Sequence, residues 1–114
     1  MIYITGNTHG DINRFETEQT KKFTSEDYLI ICGDFGFIWN GGKREEKQLE
    51  ILSQKPYTIL FVDGTHENFD LLNAYPTRQW NQGTVHEIRP NILHLMRGEI
   101  FEIDGHSLFA FGGG

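Results

Sequence analysis

Tyr28-Leu29-Ile30-Ile31-Cys32-Gly33-Asp34-Phe35-Gly36 is the stretch on which the fold turns. A short apolar run ends abruptly at a glycine and a carboxylate. The run does not alternate polar with apolar residues, so it reads as a strand covered on both faces, as in a parallel sheet. Two runs of the same kind lie on either side of it in the sequence, Ile2–Thr5 and Tyr57–Val62. Each also stops at a polar loop containing glycine: Gly6-Asn7-Thr8-His9-Gly10-Asp11 after the first, and Asp63-Gly64-Thr65-His66-Glu67 after the third. Ligands of open α/β sheets gather beyond the carboxyl ends of the strands, so three such loops point to one site.

Helix-like stretches separate the three runs. Ile12–Gln19 places Ile12 and Phe15 at helical spacing; Lys43–Gln54 is a charged helix with Leu49 and Leu52 facing inward; a third helix follows His66, with Phe69 and Leu72 on one face, and stops near Pro76. The order β-α-β-α-β-α belongs to an α/β sheet with right-handed crossovers. Beyond Pro76, Thr77–Gly83 is polar except for Trp80. The segments Val85–Ile88, Ile92–Met96, Glu99–Ile103 and Ser107–Phe111 then read as mostly antiparallel strands. Asp104-Gly105 is a hairpin signal, because a type I′ turn needs positive φ at both central residues.

Composition limits what this fold can do. The 114 residues suit one domain, and 38% hydrophobic with 13% aromatic residues is too much for a disordered chain. The net charge of −6 argues against tight direct nucleic-acid binding and favours a basic protein surface as partner. No apolar run approaches the ~18 residues that cross a bilayer, and the N-terminus lacks a signal-peptide pattern, so a cytoplasmic location away from membranes is expected. Cys32 has no partner for an internal disulfide and reads as a small buried hydrophobe.

The loop residues suit a divalent metal. Imidazole and carboxylate ligands bind zinc, iron or manganese, and glycine lets the backbone turn sharply so that neighbouring side chains converge. His9 and Asp34 on adjacent strands can grip one ion, with His66 as a further ligand or a proton donor. Other residues read as structural: Asp11 as a helix cap, Asp63 as a loop support, and Glu67 as a first-turn acid that suits a helix dipole. Lys43-Arg44-Glu45-Glu46-Lys47 reads as a solvated helix face, Trp39 and Trp80 as hydrophobic anchors, and His86, His94 and His106 as ordinary surface or packing residues.

Asn7-Thr8-His9, Gly33-Asp34 and Gly64-Thr65-His66-Glu67, in this order on three strand ends, resemble the calcineurin-like metallophosphoesterases. Their signature reads D-x-H, then GD, then GNH followed by an acidic residue. Phe35-Gly36-Phe37-Ile38-Trp39 and Phe111-Gly112-Gly113 extend the likeness over nearly the whole chain. The resemblance implies the N-terminal part of that fold as a single truncated domain over residues 1–114. It implies that His9 and position 7 ligate the first metal, Asp34 bridges two metals, position 65 ligates the second, and His66 protonates the leaving group. Asn7 stands where the family has Asp and Thr65 where it has Asn, and the chain stops at Gly114, before the family's further His motif and G-H-x-H motif. A two-metal reaction needs both ions held about 3.5 to 4 Å apart, so one ion, zinc or manganese, is expected with impaired chemistry.

Two functions follow as expectations. In one, the chain is a degenerate metallophosphoesterase-fold protein that binds a divalent metal and acts by protein contact, as a phage-borne, anti-CRISPR-like inhibitor of a nucleic-acid-handling enzyme would. In the other, it is a metal-dependent phosphatase or phosphodiesterase whose site is completed by another subunit or in a longer parent. The many large apolar residues of the C-terminal strands, among them Ile100, Phe101, Leu108 and Phe109, add an expectation of self-association or a tight partner.

Overall fold

The structure is a computed structural model that describes residues 1–6, 8, 10–64 and 67–110. Strands β1 (Ile2–Thr5), β2 (Tyr28–Cys32) and β3 (Thr58–Val62) lie side by side and parallel, as their unbroken apolar character requires. Leu29, Ile30 and Ile31 are all buried, as are Ile59, Leu60 and Phe61, so both faces of the central strands are covered. Helix α1 (Lys43–Ser53) and the short α2 (Phe69–Asn73) stand at the expected places. Strands β4 (Thr77–Trp80), β5 (Gly83–Arg89), β6 (Ile92–Leu95), β7 (Ile100–Ile103) and β8 (His106–Phe109) follow.

The main sheet has six strands in the order β1-β2-β3-β6-β5-β4. β6 pairs parallel with β3 and antiparallel with β5, so it adds a fourth parallel strand to the three read from the sequence. The C-terminal third is mostly antiparallel, as expected, through the β4–β5, β5–β6 and β7–β8 pairings, and β6 also returns beside β3 after the β4–β5 hairpin to pair with it in parallel. β4 itself replaces what reads as a polar connection. Its turn residues Asn81 and Gln82 take φ of 46° and 75°, the left-handed pair that a type I′ hairpin needs. Asp104 and Gly105, at 53° and 82°, form the corresponding turn of the separate β7–β8 hairpin, as their sequence signals.

The sheet divides two cores. On one face Phe15, Ile31, Phe35, Phe61 and Ile92 pack with Leu49 and Leu52 of α1 and Leu72 of α2. On the other, Ile30, Leu60, Val85, Leu93 and Leu95 pack with Phe101 and Ile103 of the hairpin. The architecture is a small mixed α/β domain with a sheet at its centre and few helices. Among the described residues no helix is long and apolar enough to cross a membrane.

Several local expectations fail for identifiable reasons. Ile12–Gln19 is not one helix but a 3₁₀ turn at Ile12–Phe15 followed by another at Thr20–Lys22. Thr17 and Thr20 exchange backbone-to-hydroxyl bonds of 3.0 and 3.1 Å, which offers the backbone an alternative to helix. Asp11 does cap the first turn, accepting from the Asn13 N–H at 3.0 Å. Phe69 does not share the buried position of Leu72, being 42% exposed. Trp39 is likewise 55% exposed rather than an anchor, and Cys32 is exposed rather than buried. Glu45 departs from the solvated face assigned to its run: it is buried, and its carboxylate accepts from the N–H groups of Trp39, Asn40 and Gly41.

Candidate functional site

The parallel register sets the strand ends level. Thr5 pairs with Ile31, Ile31 with Phe61, and Phe61 with His94, so the loops after β1, β2 and β3 leave the sheet side by side. Phe35, fully buried and stacked on Phe61 at 4.2 Å, pins the second loop to the sheet immediately after Asp34. Asp34 itself has φ of 36° and is 8% exposed. A left-handed aspartate is uncommon outside turns and persists here because its surroundings determine it.

Those surroundings are the other two loops. Thr8, 2% exposed, donates its N–H to the Asp34 carbonyl at 3.1 Å and its hydroxyl to the Phe35 carbonyl at 2.8 Å. The Gly10 N–H reaches the Phe35 carbonyl at 2.9 Å. On the other side, Glu67 accepts from the Gly36 N–H through Oε1 and from the Gly64 N–H through Oε2, both at 2.7 Å. Glu67 is therefore a clamp between loops two and three, lying before the α2 cap Asn68, and not a first-turn helix acid. At Gly64 a Cβ would sit 2.3 Å from both the backbone N and Oδ1 of Asp34, so only glycine permits this approach.

Of the metal ligands expected from the sequence, Asp34 stands at this convergence. Asn7, His9 and His66, with Thr65, lie outside the described residues, as does the Phe111-Gly112-Gly113 end of the likeness. Among the described residues no group of three or more His, Cys, Asp or Glu side chains is arranged to hold a metal.

A second constellation escapes the sequence reading. His86 on β5 and His94 on β6 are directly opposite in register and 4% and 5% exposed, so neither is an ordinary surface residue. Their Nδ1 atoms are 3.0 Å apart. His94 Nε2 lies 2.8 Å from Oδ1 of Asp63, at the end of β3. Arg97 donates to Oδ2 of the same carboxylate from Nε at 2.9 Å and Nη2 at 2.6 Å. Burial alone would push the Asp63 carboxyl up; the hydrogen bonds from His94 and Arg97, with the Arg97 charge, override it and hold it at about 2. Burial pushes His86 below the usual imidazole range. Asp63 supports its loop, as its sequence position suggests, but does so through this network.

Aromatic side chains frame the strand-end loops. A cavity of about 340 Å³ is lined by Trp39, Glu67, Asn68, Phe69 and Asp70. Another, of about 430 Å³, runs from Phe69 and Asn73 past Asp63, His86 and His94 to Met96 and Arg97. The chain matches no family model, and no curated protein or solved structure matches it.

Proposed function

We propose that the protein binds a divalent cation, zinc or manganese, and with it a phosphate ester at the carboxyl ends of β1, β2 and β3, as a site of the calcineurin-like metallophosphoesterase type. The observation that carries this reading is the lacing of three strand-end loops around Asp34 by Thr8, Gly64 and Glu67. Asn7, His9 and His66 complete the proposed ligand set with Asp34, and His66 is the proposed proton donor to a leaving group. A bound cation supplies charge stabilisation for phosphoryl oxygens. The exposed rings of Trp39 and Phe69 offer apolar walls for the organic part of an ester. Asn7 and Thr65 are weaker ligands than carboxylate and carboxamide at those positions, so binding outlasts turnover in this proposal. The test is hydrolysis of an aryl phosphodiester with added manganese, alongside metal-binding titration. Saturable cation binding with turnover abolished or strongly reduced supports the reading; an absence of cation binding removes it.

A second reading, action by contact, draws on one separate feature. Ile100 and Phe109 are opposite partners in the β7–β8 register and are 55% and 59% exposed. The exposed apolar pair suits a second copy of the chain, whereas the net charge of −6 suits a basic partner at the hairpin. Light scattering decides it: a monomer at high concentration that Ile100→Glu leaves unchanged excludes self-association through this pair.

A further inference from the structure

We infer that Asp63, His94 and His86 form a directed hydrogen-bond chain that presents the bare Nε2 of His86 to the cleft between α2 and β6, as the acceptor for the hydroxyl of an aryl alcohol. The direction follows from the contacts. Arg97 occupies Oδ2 of Asp63 with two N–H groups, which fixes the group as a carboxylate and leaves Oδ1 as an acceptor. His94 Nε2, 2.8 Å from Oδ1, must therefore carry the proton of that bond. Arg97 already balances the Asp63 charge, so a cationic His94, 5% exposed, would be left without a counter-ion. A neutral His94 that is protonated on Nε2 has its lone pair on Nδ1.

That lone pair faces His86 Nδ1 at 3.0 Å. The two rings are within 13° of coplanar orientation with centroids 5.3 Å apart, the arrangement of imidazoles meeting edge to edge along a near-linear N–H···N bond. An ion chelated between the two nitrogens would stand about 2.0 Å from each, and along this line would need close to 4 Å between them. The shared particle is then a proton, and it belongs to His86. His86 protonated on Nδ1 is bare on Nε2.

The open nitrogen meets the cleft. Tyr57 Oη is the one buried side-chain polar atom lacking a partner among the described residues. His86 Nε2 has no hydrogen-bond partner there either, so it reaches solvent, and the solvent it reaches is in the cavity that His86 lines with Phe69, Asn73 and Met96. The apolar ring and thioether give a surface for a flat ring, and the bare nitrogen takes a hydroxyl proton in a hydrogen bond. This site does not depend on the proposed cation.

The test uses the full chain labelled with ¹⁵N, in the presence of a chelator so that the metal reading is not involved. Long-range ¹H–¹⁵N correlation spectra of the imidazoles at neutral pH should show His94 protonated on Nε2 and His86 protonated on Nδ1. The opposite tautomer at His86, or a doubly protonated His94, overturns the chain without need of any variant. Titration with phenol should move the His86 Nε2 resonance saturably, and His86→Phe should abolish the remaining phenol-induced shifts in the cleft. An unmoved Nε2 resonance, or shifts that survive His86→Phe, overturns the acceptor site.

Discussion

Removing the Glu67 side chain should separate loops two and three, and the cost can be worked out from two bonds. Glu67 is 3% exposed and accepts from the Gly36 and Gly64 N–H groups at 2.7 Å each, one bond buried and the other partly so. A buried donor left unsatisfied costs roughly 1–3 kcal/mol, and bonds to a charged acceptor lie in the upper half of that range. Water can reach the half-buried Gly36 N–H but not the Gly64 N–H, so Glu67→Ala should destabilise the fold by about 3 kcal/mol. Glu67→Gln keeps the shape and one acceptor oxygen, and should cost about half as much. Urea denaturation reads both values, and the slope should stay the same if only native contacts are lost. Cation binding should weaken in parallel, because Asp34 is held by the same loops. If both variants lie within about 0.5 kcal/mol of the parent protein, the clamp is not holding the loops and the reasoning is wrong.

Four further outcomes follow. Asp63 has its carboxyl lowered from an ordinary 3.8 to about 2, so its network contributes stability in full above about pH 4 and loses it as the pH falls toward 2. The stability difference between the parent protein and Asp63→Asn, measured by urea titration from pH 6 to pH 2, should shrink across that window and stay constant above it. Gly83→Ala would put a Cβ 2.4 Å from the buried Phe101 ring and should cost about 1–3 kcal/mol by overpacking, which thermal melts would register. Tyr57 Oη is buried without a partner among the described residues, and burial followed by the Glu16 charge pushes its pKa up to about 12; Tyr57→Phe should therefore stabilise the fold by about 1 kcal/mol in the same assay. Cys32, exposed at the end of β2, should react with a thiol reagent in the folded protein at a rate that denaturant raises little.

The parallel half of the fold was legible because burial on both faces writes itself as unbroken apolar runs. Ile2–Thr5, Tyr28–Cys32 and Thr58–Val62 appear within one residue of where the sequence puts them. Strand β4 was not legible: Thr77, Arg78 and Gln79 are exposed, and an edge strand of this kind has no hydrophobic signature. Its turn, Asn81-Gln82, carries positive φ at a glutamine, which no turn preference anticipates. The mixed pairing of β6 was hidden for a different reason, since local pattern cannot say which neighbour a strand chooses.

The candidate site divides in the same way. Asp34 could be found because it follows a strand directly and has a glycine before it. The Asp63–His94–His86 chain could not, because the register between β5 and β6 shifts at Ile88, between the Glu87 and Arg89 pairings, and only that shift sets His86 opposite His94. A count from the turn at Pro90-Asn91 without the irregularity places them out of step. Glu45 and Glu67 were misread through one omission: helix-end charge patterns say nothing about backbone N–H groups of a neighbouring loop that need an acceptor.

The central claim is that the laced loops around Asp34 hold a divalent cation. The most direct measurement is a calorimetric titration of chelator-stripped protein with manganese and with zinc, repeated on Asp34→Asn. Asparagine tolerates the left-handed backbone that Asp34 adopts, so the variant removes the charge while sparing the turn. The account predicts one ion bound per chain by the parent protein and at least a tenfold loss of affinity in the variant. Equal affinity in both proteins, or no binding of either metal to the parent, would contradict it.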